Sequence, residues 1–462
     1  MSNFENYQVS NNFQIKGYWA TNIDSILNDE KNKLVSGLLS YENGKAILEL
    51  FGSFPEIDFS KGINAPENFV VYGISFDGLI LKSTSIIPRR SQTNSPGYMT
   101  QNFEFQSFSI LKNCNSLPRL SNELSSMDKI LRIGSSHLDD WTRYENQLME
   151  QSSDSNARRD MITYELYVEN SLSEYDVMGK NLKVSFVNSS TSSFKNTFSF
   201  SLNFESYIKF IMTDLNEEFT VEYSIKLAES ISKLLTLLTN KRSHPTFINE
   251  NYSKKPNFSC QKSFVYERED YFKSKPKPDL NIPFSLKDLG LETVKQLLNV
   301  WFDQADKIHN LVNNYLLQFD YPTPISIGLV NCVSGIESFY SEEKFGTQNQ
   351  QIQNIQSEGH RSAGSKLEAT AKIYKLLDEL PEELSGIIFA SNQEKIDFSK
   401  LINDNRVYFV HGTKKSRVIP ESELILPYRK LNFLVYVFIC QELGIPEPLI
   451  IDKMTALYHS LF

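Results

Sequence analysis

Up to about Phe204 the apolar residues alternate with polar ones, and beyond it they recur at helical spacing. KLVSGLLSY (33–41), KAILELFGSF (45–54), FVVYGISFDGLILKSTSI (69–86) and FEFQSFSILK (103–112) are short runs rich in β-branched and aromatic residues. ENG and DG punctuate them, the signals of tight hairpins. YELYVEN (164–170), LKVSFVN (182–188) and TFSFSLNF (197–204) continue the pattern, which predicts a β-rich body of sandwich or barrel-like form. TVEYSIKLAESISKLLTLLTNKR (220–242) then predicts one long helix closing this region.

The stretch from 244 to 284 is rich in Pro, Lys, Asn and Ser and reads as a linker or extended crossing segment. Everything after it reads as helix. Ser285 is placed to cap the first helical run, 285–319, and Pro324 stands near the start of the next. QNQQIQNIQSEGHRSAG (348–364) is polar and predicts a loop. Helical spacing resumes at SKLEATAKIYKLLDEL (365–380), Pro381 interrupts it, and a further helix ends at Gly412, a natural position for a left-handed cap. FLVYVFIC within Leu431–Cys440 is apolar on all sides, as in a helix central to a bundle or shared with a second chain. The expected class is therefore α+β: a β-rich region over 1–243, a connection over 244–284, and an all-α bundle over 285–462.

Composition narrows the function. With 40% hydrophobic and 22% charged residues the chain can bury real cores. Its four cysteines are far apart with no C-x-x-C pair, which speaks against a zinc site or a disulfide framework and fits a reducing compartment. The first residues lack the basic and apolar regions of a signal peptide, and no apolar run is long enough for a membrane span, so the expectation is a cytoplasmic protein without membrane contact. A net charge of −9 means that any nucleic-acid site must be a local basic patch. Phosphate-binding glycine loops, H-E-x-x-H and G-x-S-x-G are absent from the sequence, and no cofactor or metal is expected. His360 and His459 read as solvated residues and His309 as an ordinary helix histidine.

The most informative stretch is NDNRVYFVHG (403–412), which holds Arg406 and His411 in a chain of six histidines. The same spacing in RIGSSH (Arg132, His137) falls in a Gly/Ser turn of the β-rich half and reads as coincidence. Five positions along an ideal helix turn through roughly 140°, so Arg406 and His411 share a face only if the helix ends or bends. One reading is structural: Arg406 pairs with a carboxylate such as Asp404 or Glu337, and His411 sits at a helix C-terminus whose dipole favours its charge. The other is phosphodiester cleavage, with histidine as general acid or base and arginine holding the phosphate. RNA supplies its own 2′-hydroxyl nucleophile, so that chemistry needs no metal.

NDNRVYFVHG within a helical region resembles the R-x4-6-H signature of the HEPN ribonuclease superfamily, and the rest resembles the ApeA-type anti-phage HEPN proteins. The likeness is carried by IKGYW (15–19), VSGLLSYENGKAILELFGSF (35–54), VVYGISFDGLILKS (70–83), LDDW (138–141), GIESFY (335–340) and LNFLVYVFICQELGI (431–445). It implies an abortive-infection ribonuclease acting on RNA, tRNA or mRNA among the candidates. It also implies a homodimer whose composite cleft is lined by Arg406 and His411 of both protomers, and control of that site by the β-rich region on sensing a phage-derived trigger. Glu337 resembles the acidic residue that orients such an arginine. Asn405 and Tyr408 are supporting candidates, and Lys414, Lys415 and Arg417 would supply the basic patch for RNA. Many members carry a polar residue after the arginine where this chain has Val407, which leaves either slower catalysis or a polar role passed to Asn405. The alternative is a non-catalytic HEPN module for dimerisation or nucleotide binding beside a protein-binding β-rich domain. A further alternative is a carbohydrate- or peptide-binding body using the aromatics at Tyr18 and Trp19.

Overall fold

The computed structural model describes residues 4–54, 70–93, 99–112, 128–142, 164–196, 199–214, 217–252, 260–268, 283–303, 305–320, 323–341, 368–413 and 416–462. The chain divides into two compact units, Met1–Ser232 with Ser243–Pro278, and Lys233–Arg242 with Asp279–Phe462.

The first unit is built on antiparallel strands. β1 (Phe13–Ala20) pairs with β2 (Val35–Glu42) and β4 (Tyr72–Ser75), β2 with β3 (Lys45–Leu50), and β4 with β5 (Ile80–Thr93). β6 (Met99–Lys112) pairs with β5 and returns to β3, closing a barrel of six strands. Of the two forms expected, closure is therefore the outcome, and it removes the free edges these six strands would otherwise present. The hairpin signals sit where the turns are: Asn43 (φ 52) and Gly44 (φ 77) join β2 to β3, and Gly78 (φ 82) joins β4 to β5.

Strict alternation on β1 sends Phe13, Ile15, Gly17 and Trp19 inward and leaves Gln14, Lys16 and Tyr18 exposed. Inside, Trp19, Leu39, Tyr41, Leu48, Phe103, Phe105 and Phe108 form the core. A Cβ on Gly73 would lie 2.5 Å from the Trp19 ring, so the indole needs the glycine opposite it. The Tyr41 hydroxyl shares its one proton between Val9 O at 3.1 Å and Tyr266 O at 3.0 Å, which satisfies a polar group in an otherwise apolar interior.

Beyond β6 the sheet continues through β12 (Cys260–Tyr266), β11 (Pro245–Tyr252), β7 (Lys129–Ser135), β10 (Ser199–Met212), β9 (Lys180–Asn196) and β8 (Tyr164–Val177). Thus the stretch read as a linker or crossing segment contributes two paired strands. Its Pro and Lys content obscured a β pattern that long-range pairing with β6 and β7 stabilises. Helix α1 (Ile23–Leu27) follows β1, and α2 (Val221–Thr239) follows β10.

The second unit is helical: the end of α2, then α3 (Leu286–Asp303), α4 (Ala305–Asp320), α5 (Ile325–Phe339), α6 (Ala369–Asp378), α7 (Glu382–Ile388), α8 (Asn392–His411), α9 (Glu421–Glu442) and α10 (Glu447–Leu461). The helical run over 285–319 holds α3 and α4 among the described residues, and within α3 Gly290 is non-helical (φ 69, ψ 159). Ser285 does cap α3: its Oγ accepts from Asp288 N at 3.3 Å, and the Asp288 carboxylate accepts from Ser285 N at 3.0 Å. Of the two readings of Leu431–Cys440, the bundle core holds. Leu431 and every residue from Phe433 to Cys440 are buried inside this unit. Tyr436 stacks on Tyr315 with centroids 5.6 Å apart and donates to Leu237 O at 2.6 Å. Burial also pushes the Cys332 thiol up to about 12, so it serves as an apolar core group. No helix among the described residues is long and apolar enough to cross a membrane.

Candidate active site

The site is assembled around α8. Ser391 caps its start, its Oγ accepting from Glu394 N at 3.3 Å, and the Glu394 carboxylate accepts from Ala390 N at 2.9 Å. Ile396, Phe398, Ser399, Ile402 and Asn405 form its buried face. At the same end Lys430 of α9 lies 4.0 Å from the Phe389 ring centroid and donates to Ile388 O at 3.0 Å. Burial pushes the Lys430 pKa down, and the nearby Glu394 partly offsets this.

At its other end α8 runs without interruption to His411, and Gly412 (φ 69) terminates it with its N–H on Tyr408 O at 2.8 Å. Arg406 and His411 therefore lie on one continuous helix, roughly 140° apart in projection. Arg406 is partly buried and donates from Nη2 to Glu337 Oε2 of α5 at 2.6 Å. His411 is exposed. Within one chain the arginine is held on the bundle and the histidine points elsewhere.

Asn405 is fully buried. Its Nδ2 donates to Leu401 O at 2.8 Å and Arg417 O at 3.0 Å, and its Oδ1 accepts from Ile419 N at 3.1 Å. The polar role weighed for Asn405 is thus spent on backbone: the side chain fastens the returning chain onto α8 and does not face solvent. Tyr408 is 38% exposed, and Val410 beside it is 46% exposed. Arg417 is exposed and lies 3.4 Å from Asp397. Lys414 and Lys415 lie outside the described residues, as does His360.

One contributor was missed. Lys372 of α6 is buried and donates from Nζ to the backbone oxygen of Glu337 at 2.9 Å. Beside it Thr370 accepts from Asn403 Nδ2 at 2.9 Å. The signal was present in LEATAKIYKLL, where a lysine stands four residues before Leu376 on an apolar face. Arg406 Nε and Asn403 Oδ1 are buried atoms without a hydrogen-bond partner among the described residues. Among the described residues no three His, Cys, Asp or Glu side chains converge as metal ligands.

The family model described as ApeA N-terminal domain 1 matches residues 14–300, more than half of the chain. The chain belongs to the ApeA family. Its second part agrees, since the family model described as Apea-like HEPN matches residues 330–449, a span that contains Glu337, Arg406 and His411. No curated protein and no solved structure matches. Membership in ApeA and HEPN families supports a role in anti-phage defence; HEPN domains are generally nucleases, and they typically bind RNA and dimerise.

Proposed function

We propose that this ApeA-family protein is a metal-independent endoribonuclease whose active site forms between two copies of the chain. The observation that carries this reading is the division of labour on α8, with Arg406 anchored by Glu337 and His411 exposed on a different face of the same helix. One chain alone offers an arginine and a histidine that diverge. A two-fold pairing of α8 ends would bring the histidine of one protomer towards the arginine of its partner, and exposed Tyr408 and Val410 give that end an apolar surface to bury.

In this mechanism Arg406, oriented by Glu337, binds a non-bridging phosphate oxygen and offsets the charge that builds on it. The 2′-oxygen attacks phosphorus as its proton leaves, and the bond to the 5′-oxygen breaks. His411 takes the proton from the 2′-hydroxyl or returns one to the leaving oxygen. The products are a 2′,3′-cyclic phosphate and a free 5′-hydroxyl. The N-terminal unit is assigned the sensing of infection, and the basic residues after α8, Lys414, Lys415 and Arg417, the holding of RNA.

The test compares wild type with His411→Ala against cellular RNA in EDTA, with and without infected-cell lysate. Because His411 is exposed, the variant should keep its melting temperature while cleavage falls on the order of 10²- to 10⁴-fold. Equal cleavage by both proteins, or none by either in lysate, would favour the non-catalytic reading, in which Arg406 only bridges helices.

A further inference from the structure

We propose that Lys372 is a positioning residue that sets the Arg406 guanidinium by clamping the last turn of α5; this rests on the nuclease reading above. At a helix C-terminus the final carbonyls have no helical donor. In α5 the Tyr340 N–H goes to Ile336 O at 3.1 Å and the Ser341 N–H to Ser338 O at 3.1 Å. The Glu337 carbonyl between them is passed over by both, and Lys372 Nζ meets it at 2.9 Å. A cation there also complements the negative end of the helix dipole.

Glu337 is thereby held at two points. Its backbone oxygen is tied to α6 by Lys372, and its carboxylate is tied to α8 by Arg406. Fraying of the last turn of α5 would move the carboxylate and release the arginine. Lys372 is only 7% exposed, and a buried ammonium carries a desolvation cost that a methionine of similar shape would avoid. Thr370 of the same helix anchors Asn403, one turn before Arg406 on α8, so α6 braces both the arginine's helix and the arginine's carboxylate.

The experiment follows the Arg406 Nε–H resonance by NMR in the full-length protein, the signal being assigned by its disappearance in Arg406→Lys. This buried proton should exchange slowly in wild type. It should broaden or be lost in Glu337→Gln and in Lys372→Met, and persist in Lys372→Arg. RNA cleavage by Lys372→Met should fall about tenfold or more, as expected for a misplaced catalytic group. The same substitution should have little further effect in the Glu337→Gln background. An unchanged resonance in Lys372→Met overturns the proposal, and so does a cleavage loss that persists undiminished without Glu337. Should Lys372→Met fail to fold, Lys372→Leu carries the same comparison, since it too leaves the Glu337 carbonyl without a side-chain donor. If wild type does not cleave RNA, the nuclease reading fails while the resonance still decides whether Lys372 positions Arg406.

Discussion

Asn405 and Arg406 are neighbours with opposite fates, and burial explains the difference. Asn405 spends its amide on three backbone groups, so replacing it with leucine would strand Arg417 O and Ile419 N without a side-chain partner. We expect Asn405→Leu to lower stability by roughly 1–3 kcal/mol for each group left unpaired, read by thermal or urea denaturation. A variant as stable as wild type would mean that the returning chain is held by other contacts. Asp139 supports a pH test at the same scale. Burial raises its pKa, hydrogen bonds from Ser206 partly offset this, and Asp140 adds repulsion. A carboxyl raised in the folded state contributes stability that is fully present below its unfolded pKa and lost as pH rises through the folded one. Asp139→Asn keeps an acceptor for the Ser206 N–H but does not titrate. Its melting temperature should therefore gain on wild type as pH rises through the carboxylate range, and parallel profiles would argue against the assignment.

Among the elements, α8 matters most to the site, and its ends define it. Gly412 adopts φ 69, and the space that a side-chain methyl would occupy is open, so the cost of Gly412→Ala is backbone strain rather than a clash. We expect about 1 kcal/mol of destabilisation and, because His411 is the last helical residue, an accompanying loss of RNA cleavage. Melting temperature and activity measured on the same preparation would check this, and a fall in stability without any change in activity would show that the setting of His411 does not depend on the cap. At the level of elements the sequence was largely readable. Serine caps, prolines at helix starts and the hairpin glycines act through residues a few positions apart. It failed where an element depended on distant partners. β11 and β12 looked like linker because the Pro, Lys, Asn and Ser of the stretch obscured the strand formers of TFI and FVY, and they exist as strands through pairing with β7 and β6.

For the whole molecule, the division of the chain makes a specific demand. Lys233–Arg242 belongs to the helical unit although the strands of Ser243–Pro278 intervene before that unit resumes. Leu234, Leu235, Leu237 and Leu238 are buried, and Tyr436 and Phe284 donate to the backbone of Leu237 and Leu238. A fragment beginning at residue 279 should therefore be less stable than the same fragment given a peptide of residues 221–242. A peptide that leaves its melting temperature unmoved would show that the bundle completes itself.

The sequence by itself determined the class of the protein: strands before helices, the places of the turns, the end of α8, and the candidate chemistry of Arg406 and His411. These depend on periodicity and on the conformational limits of single residues, which are local. Only the tertiary structure decided that six strands close into a barrel, that Trp19 lies inside while Tyr18 stays outside, that Asn405 serves the backbone, and that Lys372 meets the backbone oxygen of Glu337. The Arg406 to Glu337 ion pair spans 69 positions, and the sequence could name the carboxylate only as a candidate. Which of several acids meets a given arginine is settled by helix packing, and packing is driven by non-directional apolar burial summed over the whole chain.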